Sequence, residues 1–175
     1  KWGPINVNRF FTPVEGYPSI AEVRKEPHQQ YNIGGNWHTD HSYDQIPALG
    51  SMLYAKELPK VGGDTLFAGC AAAFDTLSEG MKSTLRSLRA VHSSRHVFGK
   101  SAAIPDDMAD LFGNADKALQ DAEHPVVIKH PLSGRETLYV NPGFTTRFVG
   151  WTEKESNSLL AFLYEHISRP EHTYR

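Results

Sequence analysis

Pro125-Val126-Val127-Ile128-Lys129-His130, then Pro131-Leu132-Ser133-Gly134, then Thr137-Leu138-Tyr139-Val140-Asn141 forms two β-rich runs around a turn-forming stretch. Branched and aromatic side chains suit a pleated surface, and the Pro/Ser/Gly stretch reverses the chain, so this segment predicts a hairpin. Outward from it, residues 89–94 (Arg-Ala-Val-His-Ser-Ser) look extended. Before them Ser78 is placed to cap a helix, with Met81, Leu85 and Leu88 recurring at i, i+4 and i+7. Further short strands are expected at Ile20–Val23, at Ala48–Ala55 between Pro47 and Pro59, and at Thr65–Ala68 after the Gly62-Gly63-Asp64 turn. From Ser101 to Glu123 the sequence turns polar and Asp-rich, with Pro105 and Gly113 interrupting, as expected of a partly helical insertion over the core. On the C-terminal side Thr152 and Glu155 form a capping box, and Leu159, Leu160, Leu163 and Ile167 make a buried stripe before Pro170 ends the helix. The fold class that follows is mainly β with helices (α+β), a β-sandwich or jelly roll dressed with helices.

At 175 residues the chain suits one domain with a real core, and 39% hydrophobic with 22% charged residues excludes a disordered polymer. The net charge of −2 and scattered Lys and Arg give no field for nucleic acid or an anionic membrane. A lone Cys70 cannot form an internal disulfide, which favours a reducing compartment. No apolar run has transmembrane length and the Lys1-Trp2-Gly3-Pro4 start lacks a signal-peptide layout, so a cytoplasmic protein is expected. Both ends look abrupt: there is no initial Met, and the chain stops at His172-Thr173-Tyr174-Arg175. Residues 1–175 are therefore expected to be one domain truncated at both ends.

Trp37-His38-Thr39-Asp40 carries the candidate chemistry. In an extended segment alternate side chains share a face, so an imidazole at 38 and a carboxylate at 40 can reach one metal. Two histidines and one carboxylate on one face of an octahedron suit Fe(II) and leave three positions open. On spacing alone, two polar residues on a solvated strand are the commoner explanation. A zinc hydrolase using His38, Asp40 and His41 is a further reading, but alternation would send His41 to the opposite face.

The ordered series Trp37-His38-Thr39-Asp40, Leu58-Pro59, Gly62-Gly63-Asp64-Thr65, His124-Pro125-Val126-Val127, Tyr139-Val140-Asn141 and Phe144-Thr145-Thr146-Arg147 resembles the taurine dioxygenase family (TauD/TfdA-like) over nearly the whole chain. That resemblance implies a double-stranded β-helix (jelly roll), incomplete in this chain. It implies Fe(II), 2-oxoglutarate as co-substrate and molecular oxygen, with decarboxylation to succinate coupled to hydroxylation of a small organic substrate of sulfonate, carboxylate or ether type. By the same resemblance His38 and Asp40 match the first two iron ligands, and Thr65 matches a hydroxyl that holds a carboxylate of 2-oxoglutarate. The family's distal histidine and its carboxylate-binding arginines match no residue here; His92, His96, His124, His130, His166 and His172 are read as surface or structural. Around the substrate, the family's His, Tyr and Asn correspond to Asn8, Phe11 and Gly34, which offer an anion fewer donors than a taurine pocket. Phe144 matches a pocket aromatic. A small-molecule partner is expected, with homo-oligomerisation left open. The competing reading is a metal-free jelly-roll binding or interaction module.

Overall fold

Thr152 opens the longest helix, α4 (Glu153–Ile167). Its hydroxyl accepts from the Glu155 amide, and the Glu155 carboxylate accepts from the Thr152 amide at 2.8 Å, so two end-of-helix donors are satisfied reciprocally. Ser156 ties the helix to the preceding strand: its hydroxyl donates to the Thr152 carbonyl at 2.8 Å and accepts from the Phe148 amide at 3.0 Å. Leu160, Leu163 and Ile167 then point inward as the sequence indicates, while Leu159 is half-buried at the margin. The computed structural model to which this helix belongs describes residues 3–100, 102–105, 112 and 114–175.

The sheet beneath α4 is three-stranded and antiparallel, with β4 (Arg89–Ser93) between β5 (Asp121–Pro125) and β8 (Thr145–Phe148). Its register pairs Ala90 with His124 and Phe148, and Val91 with Glu123 and Arg147. The expected hairpin follows as β6 (Val127–Lys129) and β7 (Glu136–Leu138), with Val127 opposite Leu138. Two further antiparallel pairs are β1 (Pro13–Val14) with β2 (Tyr17–Ala21), and β3 (Phe67–Ala68) with β9 (Thr173–Tyr174). Helix α1 (Cys70–Asp75) packs on β7 and α4, α2 (Glu79–Ser87) starts at its Ser78 cap, and α3 (Arg95–Phe98) is a single turn.

Two apolar clusters result. The larger joins Phe74, Leu85, Val126, Leu138, Phe148 and Leu163 between the helices and sheets. The smaller gathers Phe10, Tyr43, Ala118 and Phe144, with Phe11 and Phe98 at its edge.

The architecture is mixed α/β with no closed barrel among the described residues, and it contains less strand than the sequence suggests. Ala48–Ala55 is not a strand: among the described residues no segment pairs with its backbone, and from Leu49 onward its side chains lie in solvent, Met52 at 86% exposure. An alternating pattern becomes a strand only when a partner supplies the ladder. For the same reason only Phe67–Ala68 of the expected Thr65–Ala68 strand is paired, and residues 37–39 lie outside any ladder. The expected insertion is also partly sheet, since its end forms β5 beside β4. Residues 101, 106–111 and 113 of that stretch lie outside the described residues. No helix among the described residues is long and apolar enough to cross a membrane.

Candidate metal centre

His38 and Asp40 face each other, with His38 Nε2 3.4 Å from Asp40 Oδ1. The same-side geometry expected of a strand is thus reached in a segment without regular secondary structure that enters a turn at Asp40. His38 Nδ1 lies 2.7 Å from the Asn36 carbonyl oxygen, which can only accept, so Nδ1 carries a proton. In the neutral ring the Nε2 lone pair is therefore the free one, and it points toward the carboxylate. Hydrogen bonding to Asp40 raises the His38 pKa against the opposing effect of burial, and the same contact lowers that of Asp40. A nitrogen lone pair and a carboxylate oxygen converging at this spacing fit a divalent first-row metal, whose bonds to such donors are roughly 2.1 Å long.

His41 does not join them. Its φ of 59° is left-handed, which swings its ring away so that Nδ1 meets Asp44 Oδ2 at 2.9 Å. Arg9 pairs with the other Asp44 oxygen. A zinc site built on His38, Asp40 and His41 is excluded by this geometry, although the cause is a left-handed residue in a turn rather than strand alternation. Among the described residues no group of three or more His, Cys, Asp or Glu side chains is placed to hold a metal. The other six histidines singled out in the sequence have structural partners: His92 Thr145, His96 the Gly143 carbonyl, His124 the Asp44 carbonyl, His130 Ser133, and His166 and His172 a shared Thr76 hydroxyl.

Residues to which the sequence assigned no role hold the pair in place. A methyl group on Gly143 would lie 2.7 Å from His38 Cβ, so only glycine fits there. Asn141 fixes the loop that brings Gly143 in: its side-chain oxygen accepts from the Phe144 amide at 2.9 Å, and its amide donates to buried Ser42 at 3.1 Å. On the other side of Asp40, Ser51 donates to Oδ2 at 2.9 Å. Gly143 comes from a segment far from His38 in sequence and Ser51 lies 11 residues from Asp40, and only the fold shows either meeting the pair. Beside His38 is a cavity of about 180 Å³ whose walls include Trp37, Leu66, Phe67, Asn141 and Tyr164.

The remaining expected site residues divide. Gly34, with φ of 67°, approaches the imidazole so closely that a Cβ would lie 3.0 Å from His38 Cε1. Phe144 stands edge-on to the same ring, at 6.4 Å between centroids. Asn8 is engaged locally instead, its side-chain oxygen accepting from the Phe10 amide at 2.9 Å. Phe11 packs on Phe98 and Phe112. Thr65 is exposed, and among the described residues its hydroxyl has no hydrogen-bond partner; its neighbour Leu66 lines the cavity.

The family model described as taurine catabolism dioxygenase TauD, TfdA family, matches residues 1–175. The chain belongs to the TauD/TfdA family. This TauD/TfdA chain is 35% identical over 177 residues to the alpha-ketoglutarate-dependent dioxygenase cnsM of Penicillium expansum, covering 96% of this chain and 48% of that protein. It is 36% identical over 139 residues to the alpha-ketoglutarate-dependent 2,4-dichlorophenoxyacetate dioxygenase of Burkholderia sp. (strain RASC), covering 79% of this chain and 45% of that one. Among solved structures, a taurine dioxygenase from Burkholderia xenovorans superposes with a TM-score of 0.69 at 30% identity, over 92% of this chain and 51% of that one. The chain thus spans about half the length of these relatives.

Proposed function

We propose that the protein is an Fe(II)- and 2-oxoglutarate-dependent dioxygenase acting on a small organic substrate, and that His38 and Asp40 are two of its three iron ligands. The observation that carries this reading is the convergence of His38 Nε2 and Asp40 Oδ1 at 3.4 Å, with Nδ1 committed to Asn36, in a chain of this family. Bound there with 2-oxoglutarate, iron supplies oxygen activation, coupling loss of carbon dioxide to hydroxylation of the substrate. What these residues contribute is a fixed tautomer, an oriented carboxylate and a glycine-lined approach. Thr65 is proposed to hold a co-substrate carboxylate, and Gly34 and Phe144 to border the substrate; Asn8 and Phe11 are the weaker members, since each is engaged elsewhere. The relatives' named substrates are a sulfonate and an aryloxy acid, which supports the sulfonate, carboxylate or ether class expected from sequence.

The chain is further proposed to be part of a jelly roll whose remainder supplies the third ligand. The full-length protein should consume 2-oxoglutarate only with Fe(II) and oxygen, and His38→Ala or Asp40→Ala should abolish it. Retained turnover in either variant would show the ligands misassigned. A wild-type protein without near-stoichiometric iron would favour the metal-free binding module.

A further inference from the structure

Asp40 lies on an unpaired turn with its side chain 53% exposed, so nothing in the local backbone holds its carboxylate in one rotamer. Two side chains do, His38 at Oδ1 and Ser51 at Oδ2. Ser51 Oγ donates to Oδ2 at 2.9 Å, and that leaves Oδ1 as the oxygen facing His38 Nε2. Ser51 sits in an exposed segment without secondary structure, flanked by Gly50 and Met52, and buries nothing there. A hydrogen bond in solvent contributes little to folding, since water replaces it when it breaks. Its effect is local: it decides which carboxylate oxygen is presented and keeps it presented.

We propose that Ser51 is a positioning residue that orients Asp40 so that the carboxylate meets the metal through Oδ1 alone. The inference rests on the reading of His38 and Asp40 as iron ligands. It matters because an octahedral metal has six positions. Three protein donor atoms leave three open, and a carboxylate free to bind through both oxygens would occupy one of them. With Oδ2 committed to Ser51, that second attachment requires breaking an existing hydrogen bond. Partners of this kind, outside the ligand set, commonly alter metal affinity by about 10–100-fold when removed.

The test is titration of the metal-free full-length protein with Mn(II), comparing wild type, Ser51→Ala and Ser51→Thr, alongside thermal melts without metal. Wild type should take up one Mn(II) per chain. Ser51→Ala should bind on the order of tenfold more weakly with an unchanged metal-free melt, and Ser51→Thr, which keeps the hydroxyl, should bind close to wild type. Wild-type uptake with equal affinity in Ser51→Ala would overturn the proposal while leaving the metal reading intact. Equal loss in Ser51→Ala and Ser51→Thr would also overturn it, because the hydroxyl would then not be the cause. A wild-type protein that takes up no Mn(II) overturns the metal reading, and this inference with it.

Discussion

The α-carbon of Gly143 lies against His38 so closely that a β-carbon added there would sit 2.7 Å from His38 Cβ and 3.3 Å from Asn141 Oδ1. Neither neighbour can yield freely. His38 is anchored through Nδ1 to Asn36, and Asn141 is held by Ser42 and by the Phe144 amide. Gly143→Ala should therefore displace the imidazole rather than the loop. Forcing a methyl group into packed surroundings costs roughly 1–3 kcal/mol. Mn(II) titration of the full-length variant should show weakened binding along with a modestly lowered melt. Wild-type metal affinity would mean that the loop moves and that His38 is not constrained from this side.

His92 predicts an acid sensitivity unrelated to the metal. It is fully buried beside His124 and Tyr139, and burial first, then the neighbouring His124, push its pKa down to about 3. An unfolded histidine titrates near 6.5, so the unfolded state takes up the proton first as pH falls. The contribution is thus fully favourable above about pH 6.5 and is lost progressively toward pH 3, at about 1.4 kcal/mol per pH unit. Between pH 7.5 and 5 this one group should cost roughly 2 kcal/mol. Denaturant unfolding at both pH values should show His92→Gln losing less stability than wild type over that interval. Parallel losses would assign the sensitivity to other groups.

The same residues show what sequence makes legible. The hairpin over 127–138 and the Thr152/Glu155 capping box are local devices, whose partners lie within a few residues, and both appear as expected. Ala48–Ala55 has an alternating pattern but no strand to pair with among the described residues, and a ladder cannot be read from one of its sides. The His38/Asp40 pair was legible because it stands in an ordered series of family motifs; the spacing of two alone fits a solvated strand as well. Gly143 and Ser51 were not, because Gly143 reaches His38 only through the folded chain and no local pattern marks the Ser51 contact with Asp40. His41 shows a right conclusion with the wrong cause, since a left-handed φ is uncommon outside glycine even though His adopts it more readily than most residues.

Leu163 tests the core independently. It is fully buried on α4 within the larger apolar cluster, between the helices and the sheet. Leu163→Ala removes buried methyl groups and leaves a cavity that rigid neighbours fill only in part, so a loss of about 2–5 kcal/mol is expected from denaturant unfolding of the full-length protein. Ser158, on the same helix, is exposed, and Ser158→Ala should change stability by less than about 0.5 kcal/mol. Similar losses in the two variants would contradict the orientation of α4.

Asp44 and Asp40 are four residues apart and should respond oppositely to the same substitution. Asp44 is largely buried, with a side chain 14% exposed, and it accepts from both Arg9 and His41. Arg9 also lies over the Phe10 and Tyr43 rings, so Asp44→Asn would leave its charge half-buried without a counter-ion. A cost of about 2 kcal/mol in the metal-free full-length protein is expected, below that of a fully buried pair. Asp40 is more than half exposed, and its metal-free ion pair with His38 is worth about 1 kcal/mol at most after solvent screening. Asp40→Asn should therefore barely move the metal-free unfolding midpoint while removing most of the stabilisation that added Mn(II) confers on wild type. Asp44→Asn should do the reverse, lowering the midpoint and keeping a Mn(II) response. If Asp44→Asn instead abolished that response with the fold intact, Asp44 would belong among the ligands and His41 beside it.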